Sequence, residues 1–162
     1  MLEFLKKLCF LSGYGRQNGE AERSQPLDLL KNSYHRLCVL AKQLDDHAAK
    51  APYPQVAGRL RQMAAEKRAN AGRVRENILK LGAAVEECPR EVKSAMNHWE
   101  RVGQDLQDQK NLETNLFDQA ALLAEETPEL AELLREIAAS QHPHTDALLD
   151  LVARADPQAD QT

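Results

Sequence analysis

Three proline-bearing breaks, APYP (51–54), ECPRE (87–91) and EETPE (125–129), divide this 162-residue chain into helix-length pieces. Proline lacks an amide hydrogen and clashes with the preceding turn, so a helix ends at or before it. It is well suited to the first turn of the next. Between the breaks, apolar residues recur every three or four positions. The first stripe is Leu30, Leu37, Leu40, Ala41, Leu44 and Ala48. The second is Val56, Leu60, Met63, Ala64, Val74, Ile78 and Leu81, ending near Gly82. Val92, Met96, Trp99, Val102, Leu106, Leu116 and Ala120 make the third, and Leu130, Leu134, Ile137, Leu148 and Val152 the fourth. Each stripe is the buried face of an amphipathic helix. Ser24 and Pro26 mark the start of the first helix. Four such helices with short loops predict an all-α, antiparallel four-helix bundle.

Ahead of Ser24 the pattern changes. In MLEFLKKLCFLSGYG, Leu2, Leu5, Leu8 and Cys9 share one helical face, with Phe4 and Leu11 on a second apolar stripe. Residues 1–12 read as a short amphipathic helix that docks on its own domain or on a neighbouring subunit; attachment to a membrane surface is the lesser alternative. Two lysines interrupt the apolar run and no small-residue cleavage site follows, which argues against a signal peptide. The polar stretch GRQNGEAERSQ (15–25) reads as a linker. The expected organisation is a peptide and linker over 1–25, a bundle over 26–155 and a polar tail over 156–162.

The net charge is −4, with basic residues alternating with acidic ones, so no face suits nucleic acid. Cys9, Cys38 and Cys88 are widely spaced and odd in number. They suggest neither a CxxC pair nor a disulfide framework, and hence a reducing, cytoplasmic setting. No apolar run is long enough to cross a membrane as a helix. Phosphate-loop, zinc and nucleophile motifs are absent from the sequence. His35, His47 and His98 read as solvated, and Tyr34 and Trp99 as core packing near the bundle ends.

The two halves also resemble each other. Shifted by 74 residues, the second helix lies on the fourth: Pro54, Ala57, Leu60, Arg61, Ala64 and Ala65 meet Pro128, Ala131, Leu134, Arg135, Ala138 and Ala139. The matched proline and arginine go beyond an amphipathic pattern and point to a duplicated helical hairpin. The sequences YPQVAGRLRQMAAEKRANAGRVRENILKLG and NHWERVGQDLQDQKNLETNLFDQAALLAEETPELAELLREIAAS give the chain, from Leu27 to Ala155, a resemblance to bacterial ferritin-like domains of the rubrerythrin type.

That resemblance implies a di-metal site inside the bundle, with a Glu from each of helices one and three and a Glu-x-x-His from each of helices two and four. Carried over, the helix-two motif falls on KRAN, with Lys67 in place of Glu and Asn70 in place of His. The helix-four motif falls on QHPH, with Gln141 in place of Glu and His144 retained. Helix one offers Leu37, flanked by Arg36 and Cys38, and helix three offers Gln109, one turn from Glu113. Only His144 keeps the family's residue. His142 is two residues from His144 and so faces elsewhere, and Glu66 faces about 100° away from Lys67. Pro143 is expected to disturb the turn before it.

A buried lysine needs a partner. The expectation is an internal polar network of Lys67, Glu113, Gln109, Gln141 and His144, with Lys67 paired to Glu113; the alternative is a lysine that snorkels to water. No metal or other cofactor is expected. The implied function is a non-catalytic structural or protein-interaction module with a protein partner or self-association, a homodimer among the possibilities. The alternatives are an iron-handling oxidoreductase, ferroxidase or peroxide-reducing, on an atypical site, and a small ligand held in the bundle interior.

Overall fold

The computed structural model describes residues 14–88 and 95–155. They form four helices: α1 (Tyr14–Ala49), α2 (Pro54–Lys80), α3 (His98–Leu123) and α4 (Pro128–Arg154). The proline breaks act as the sequence implies. Pro54 and Pro128 each occupy the first turn of a helix. Gly82, at φ 80°, ends α2: its amide donates to Leu79 O, and that of Ala83 reaches back to Ile78 O. A side chain at this φ would strain the backbone, so the turn needs glycine.

Two boundaries depart from the sequence reading. The expected linker is helical, and α1 passes through Ser24 and Pro26 without a break. Glu20, Ala21, Glu22, Arg23 and Gln25 have good helix propensity, and extending a nucleated helix costs far less than starting one. The third helix begins at His98, later than its expected stripe. Asn97 caps it by accepting from the Glu100 amide at 2.8 Å, and Glu100 Oε2 accepts from the Met96 amide at 2.9 Å. An Asn followed three residues later by Glu is a helix-start signal, and it outweighs the apolar spacing of Met96 and Trp99. Both of these are exposed, as is Leu81. Trp99 is therefore not core, whereas Tyr34 packs against it. The expected amphipathic helix over 1–12, Val92 and the tail over 156–162 lie outside the described residues.

The core is a single aliphatic cluster in which all four stripes meet, with Leu37, Leu60, Val74, Leu116, Leu134 and Leu148 fully buried. Cross-helix bonds give the directions. Ser33 bonds Gln119, Gln43 bonds Asp105 and Arg101 reaches Lys50 O, so α1 and α3 run antiparallel. Arg59 with Asp150, Asn70 with Ser140, and Arg73 with Glu136 make α2 and α4 antiparallel as well. The chain is thus a bundle of two hairpins, α1–α2 and α3–α4, each closely packed. Because α2 and α3 point the same way, the connection between Lys80 and His98 joins opposite ends of the bundle. A helix of 27 residues spans about 40 Å, a distance that connection can cover.

Cys88 lies in this long crossover and forms a disulfide with Cys38 in the middle of α1, Cα to Cα 5.6 Å. The spacing argument against a disulfide fails because local spacing is blind to a crossover that brings distant residues side by side. It also removes the cysteine argument for a reducing compartment. Cys88→Ser, or addition of dithiothreitol, is expected to lower stability by about 2–4 kcal/mol, since the bond closes a loop 50 residues apart in sequence. A urea unfolding midpoint that ignores reductant would show that the crossover is held without it. No helix among the described residues is long and apolar enough to cross a membrane.

Candidate functional site

A polar layer lies halfway along the bundle. Lys67 on α2 and Gln141 on α4 are 74 residues apart, equivalent positions of the two hairpins, and they touch: Lys67 Nζ donates to Gln141 Oε1 at 2.8 Å. Helix α3 adds Gln109, whose Oε1 accepts from Nζ at 2.5 Å and whose Nε2 donates to Gln141 O at 3.1 Å. One turn along α4, His144 places Nδ1 3.2 Å from Nζ. Lys67, Gln109 and Gln141 are all fully buried and His144 nearly so. An ammonium has three hydrogens, and here it meets two amide oxygens and one imidazole nitrogen.

The snorkelling alternative is excluded, because Lys67 has no solvent exposure. The expected Lys67–Glu113 pair is also absent. Glu113 accepts from Thr145 Oγ1 at 3.0 Å and lies 3.2 Å from Nδ1 of the exposed His142. It acts on Lys67 through space only. A carboxylate paired at the bundle edge keeps part of its hydration, whereas moving it to the centre would fully desolvate a second charge. Neutral amides solvate the ammonium at lower cost.

The remaining positions are simply placed. Leu37 is buried in the aliphatic core, and Asn70 turns aside to donate to Ser140 Oγ at 3.2 Å. Pro143 lies on the outer face of α4, which continues through it. The buried Ile137 and Leu148 on either side hold the helix together there at the cost of one backbone bond.

Glu66 faces about 100° away from Lys67 on α2, yet its Oε2 lies 2.6 Å from His144 Nε2. The side chain is long enough to cross the α2/α4 seam even though its Cα faces away. His144 is therefore bracketed, with Lys67 on one ring nitrogen and Glu66 on the other. Burial pushes the His144 pKa down, the nearby Lys67 charge adds to this, and the bond to Glu66 opposes both. That bond to His144 holds the Glu66 carboxyl below its usual range. Burial pushes Lys67 down to about 7, against the pull of Glu66, Asp105 and Glu113.

A second buried cluster lies between α1 and α3. Asp105 Oδ1 sits 2.8 Å from His47 Nδ1 and accepts from Gln43 Nε2 at 2.9 Å. His47 and His98 are buried, contrary to the solvated reading, while His35 is exposed. The signal for His47 was present, since Gln43 and His47 are spaced i, i+4 along the flank of the first stripe. Nothing in the sequence marks Asp105 as its partner.

A di-metal centre needs several carboxylates to offset the charge of its ions. The central layer offers one cation, two amides and one imidazole, and among the described residues no three His, Cys, Asp or Glu side chains converge. These residues do not fit such a centre. No family model matches the chain, and no curated protein matches it significantly.

Proposed function

We propose that this chain is a ferritin-like bundle of the rubrerythrin type in which a polar network takes the place of the di-metal site, and that it acts as a non-catalytic structural or protein-interaction module. The observation that carries the reading is Lys67, whose ammonium lies at the centre of the bundle with all three hydrogens accepted by Gln109, Gln141 and His144. In its protonated form Lys67 puts a positive charge where a metal ion would sit, and repels one. The single long crossover between two hairpins, characteristic of ferritin-like bundles, supports the family reading. So does the contact between the equivalent residues Lys67 and Gln141. An iron-handling oxidoreductase would need free carboxylates at this layer. The carboxylates that act on Lys67, namely Glu66, Asp105 and Glu113, are engaged with histidines, Gln43 and Thr145. Exposed Tyr53, Met96 and Trp99, at the end where α2 and α3 begin, supply the apolar surface that an interaction module uses.

Metal analysis tests this reading. Protein purified without added metal is expected to hold far less than one iron, manganese or zinc per chain, and ferrous iron is expected to oxidise no faster with it than in buffer. Stoichiometric metal that disappears in His144→Ala would overturn the reading in favour of an oxidoreductase.

A further inference from the structure

The groups around His144 have one hydrogen too few for two charges. Glu66, ionised at neutral pH, can only accept, so His144 Nε2 carries a hydrogen and donates it across 2.6 Å. A neutral imidazole then has its lone pair on Nδ1, facing Lys67 Nζ at 3.2 Å. That geometry suits an ammonium donating to Nδ1. If His144 takes a second proton, Nδ1 becomes a donor, and the same contact survives only with Lys67 as a neutral amine whose lone pair accepts it. Two positive charges would set N–H against N–H.

We propose that Lys67 and His144 hold one proton between them, exchanged with solvent through Glu66, so that the centre of the bundle is a coupled proton-binding site. Transfer breaks Nζ–H and forms Nδ1–H, leaving the total charge unchanged. Release continues as Nε2 gives its hydrogen to Glu66 Oε2 and Glu66 gives it to water. The path is open at its outer end. Glu66 is about half exposed and lines, with His144, Met63, Ser140 and Pro143, a groove of about 480 Å³ between α2 and α4.

The charged groups acting on Lys67 are Glu66 on its own helix and Asp105 and Glu113 on α3, with His144 in contact from α4. Helix α1 turns its aliphatic stripe of Leu37, Ala41 and Leu44 inward. Lys67 and Glu66 act on His144, and Arg59, Asp146 and Asp150 line the groove outside it. Burial lowers both members of the pair, bringing Lys67 down to about 7 and the His144 imidazole below its ordinary value. Two interacting bases this close ionise as a pair, with apparent constants that belong to neither alone.

This inference rests on the reading of the layer as a polar network, and metal content measured on the same sample separates failure of that reading from failure of the proton site. The experiment is a pH titration of the full ¹⁵N-labelled chain, following the imidazole nitrogens of His144 and Nζ of Lys67 by NMR. In the wild type, Nζ and the His144 ring are expected to shift together, with Nε2–H the dominant neutral tautomer. In Lys67→Met the His144 midpoint is expected to rise by about one pH unit, and in Glu66→Gln to fall. If Lys67→Met does not fold, Glu66→Gln and the wild-type Nζ curve decide the matter. A His144 midpoint unmoved by either substitution, or an Nζ that titrates at an ordinary lysine value, would overturn the proposal.

Discussion

Gln141→Leu, an apolar exchange in the middle of the bundle, is expected to destabilise the protein by about 2–3 kcal/mol at pH 6. In most helical cores such a swap is close to neutral, because it replaces a polar atom with one that prefers burial. Here Gln141 Oε1 is one of three acceptors around an ammonium that has no access to water. Removing it leaves a buried charge incompletely solvated, which costs more than a lost neutral hydrogen bond, up to the point where Lys67 releases its proton instead. Adding Lys67→Met to Gln141→Leu is expected to recover most of the loss, since the charge goes too. Adding Gln109→Leu as well, which removes the acceptor that Lys67→Met orphans, is expected to recover the rest. Glu113→Leu combined with Lys67→Met serves as a control. The two residues make no contact and act on each other through space only, so their coupling is expected to be smaller than that of Lys67 and Gln141. Urea unfolding in a double-mutant cycle reads out the coupling. A Gln141→Leu midpoint equal to wild type at pH 6 would mean that the ammonium does not depend on these amides.

Stability is expected to rise with pH above neutrality, and Lys67 is the cause. Its pKa is about 7 in the folded protein against an ordinary 10.5. Between those values the unfolded chain keeps a proton that the folded chain has released, so raising the pH favours folding. Below pH 7 the burial cost stands in full. Above it, stability is regained at about 1.4 kcal/mol per pH unit, which amounts to about 2–3 kcal/mol by pH 9 and about 5 kcal/mol by the end of the window. His144, lowered from 6.5, and Glu66, lowered from 4.5, act with the same sign in their own windows. Each contributes stability that is lost as pH falls through its folded value. Acid therefore destabilises throughout. Urea midpoints at pH 6, 7.5 and 9 check this, with Lys67→Met expected to flatten the rise between 7 and 9. A wild-type curve parallel to that of the variant would place the rise elsewhere.

The bundle was legible in the sequence because helix formation is read locally. The stripe on the fourth helix, Leu134, Ile137, Gln141, His144 and Leu148, is buried as its spacing requires, and Pro54, Gly82 and Pro128 mark their boundaries through backbone chemistry that no distant residue alters. Where local signals compete, the weaker one misleads. The polar composition of residues 15–25 suggested a linker, yet those residues extend a helix already nucleated by packing further along. The apolar spacing of Met96 and Trp99 suggested a helix that the Asn97 cap starts one position after itself.

The sequence by itself determined four amphipathic helices, their pairing into two related hairpins, and an inward lysine at the equivalent of Gln141. A helical period of 3.6 residues decides which side chains face the core whatever the partner helix is. Only the tertiary structure decided what Lys67 touches. Side-chain reach matters as much as direction there, so Glu66 crosses the α2/α4 seam to His144 while Glu113 turns to Thr145 and leaves the ammonium to two amides and an imidazole. The Cys38–Cys88 bond was decided in the same way, by a crossover that lays residue 88 beside the middle of α1. Contacts of this kind are set by the balance of desolvation against pairing at one place in three dimensions, and no spacing along the chain encodes that balance.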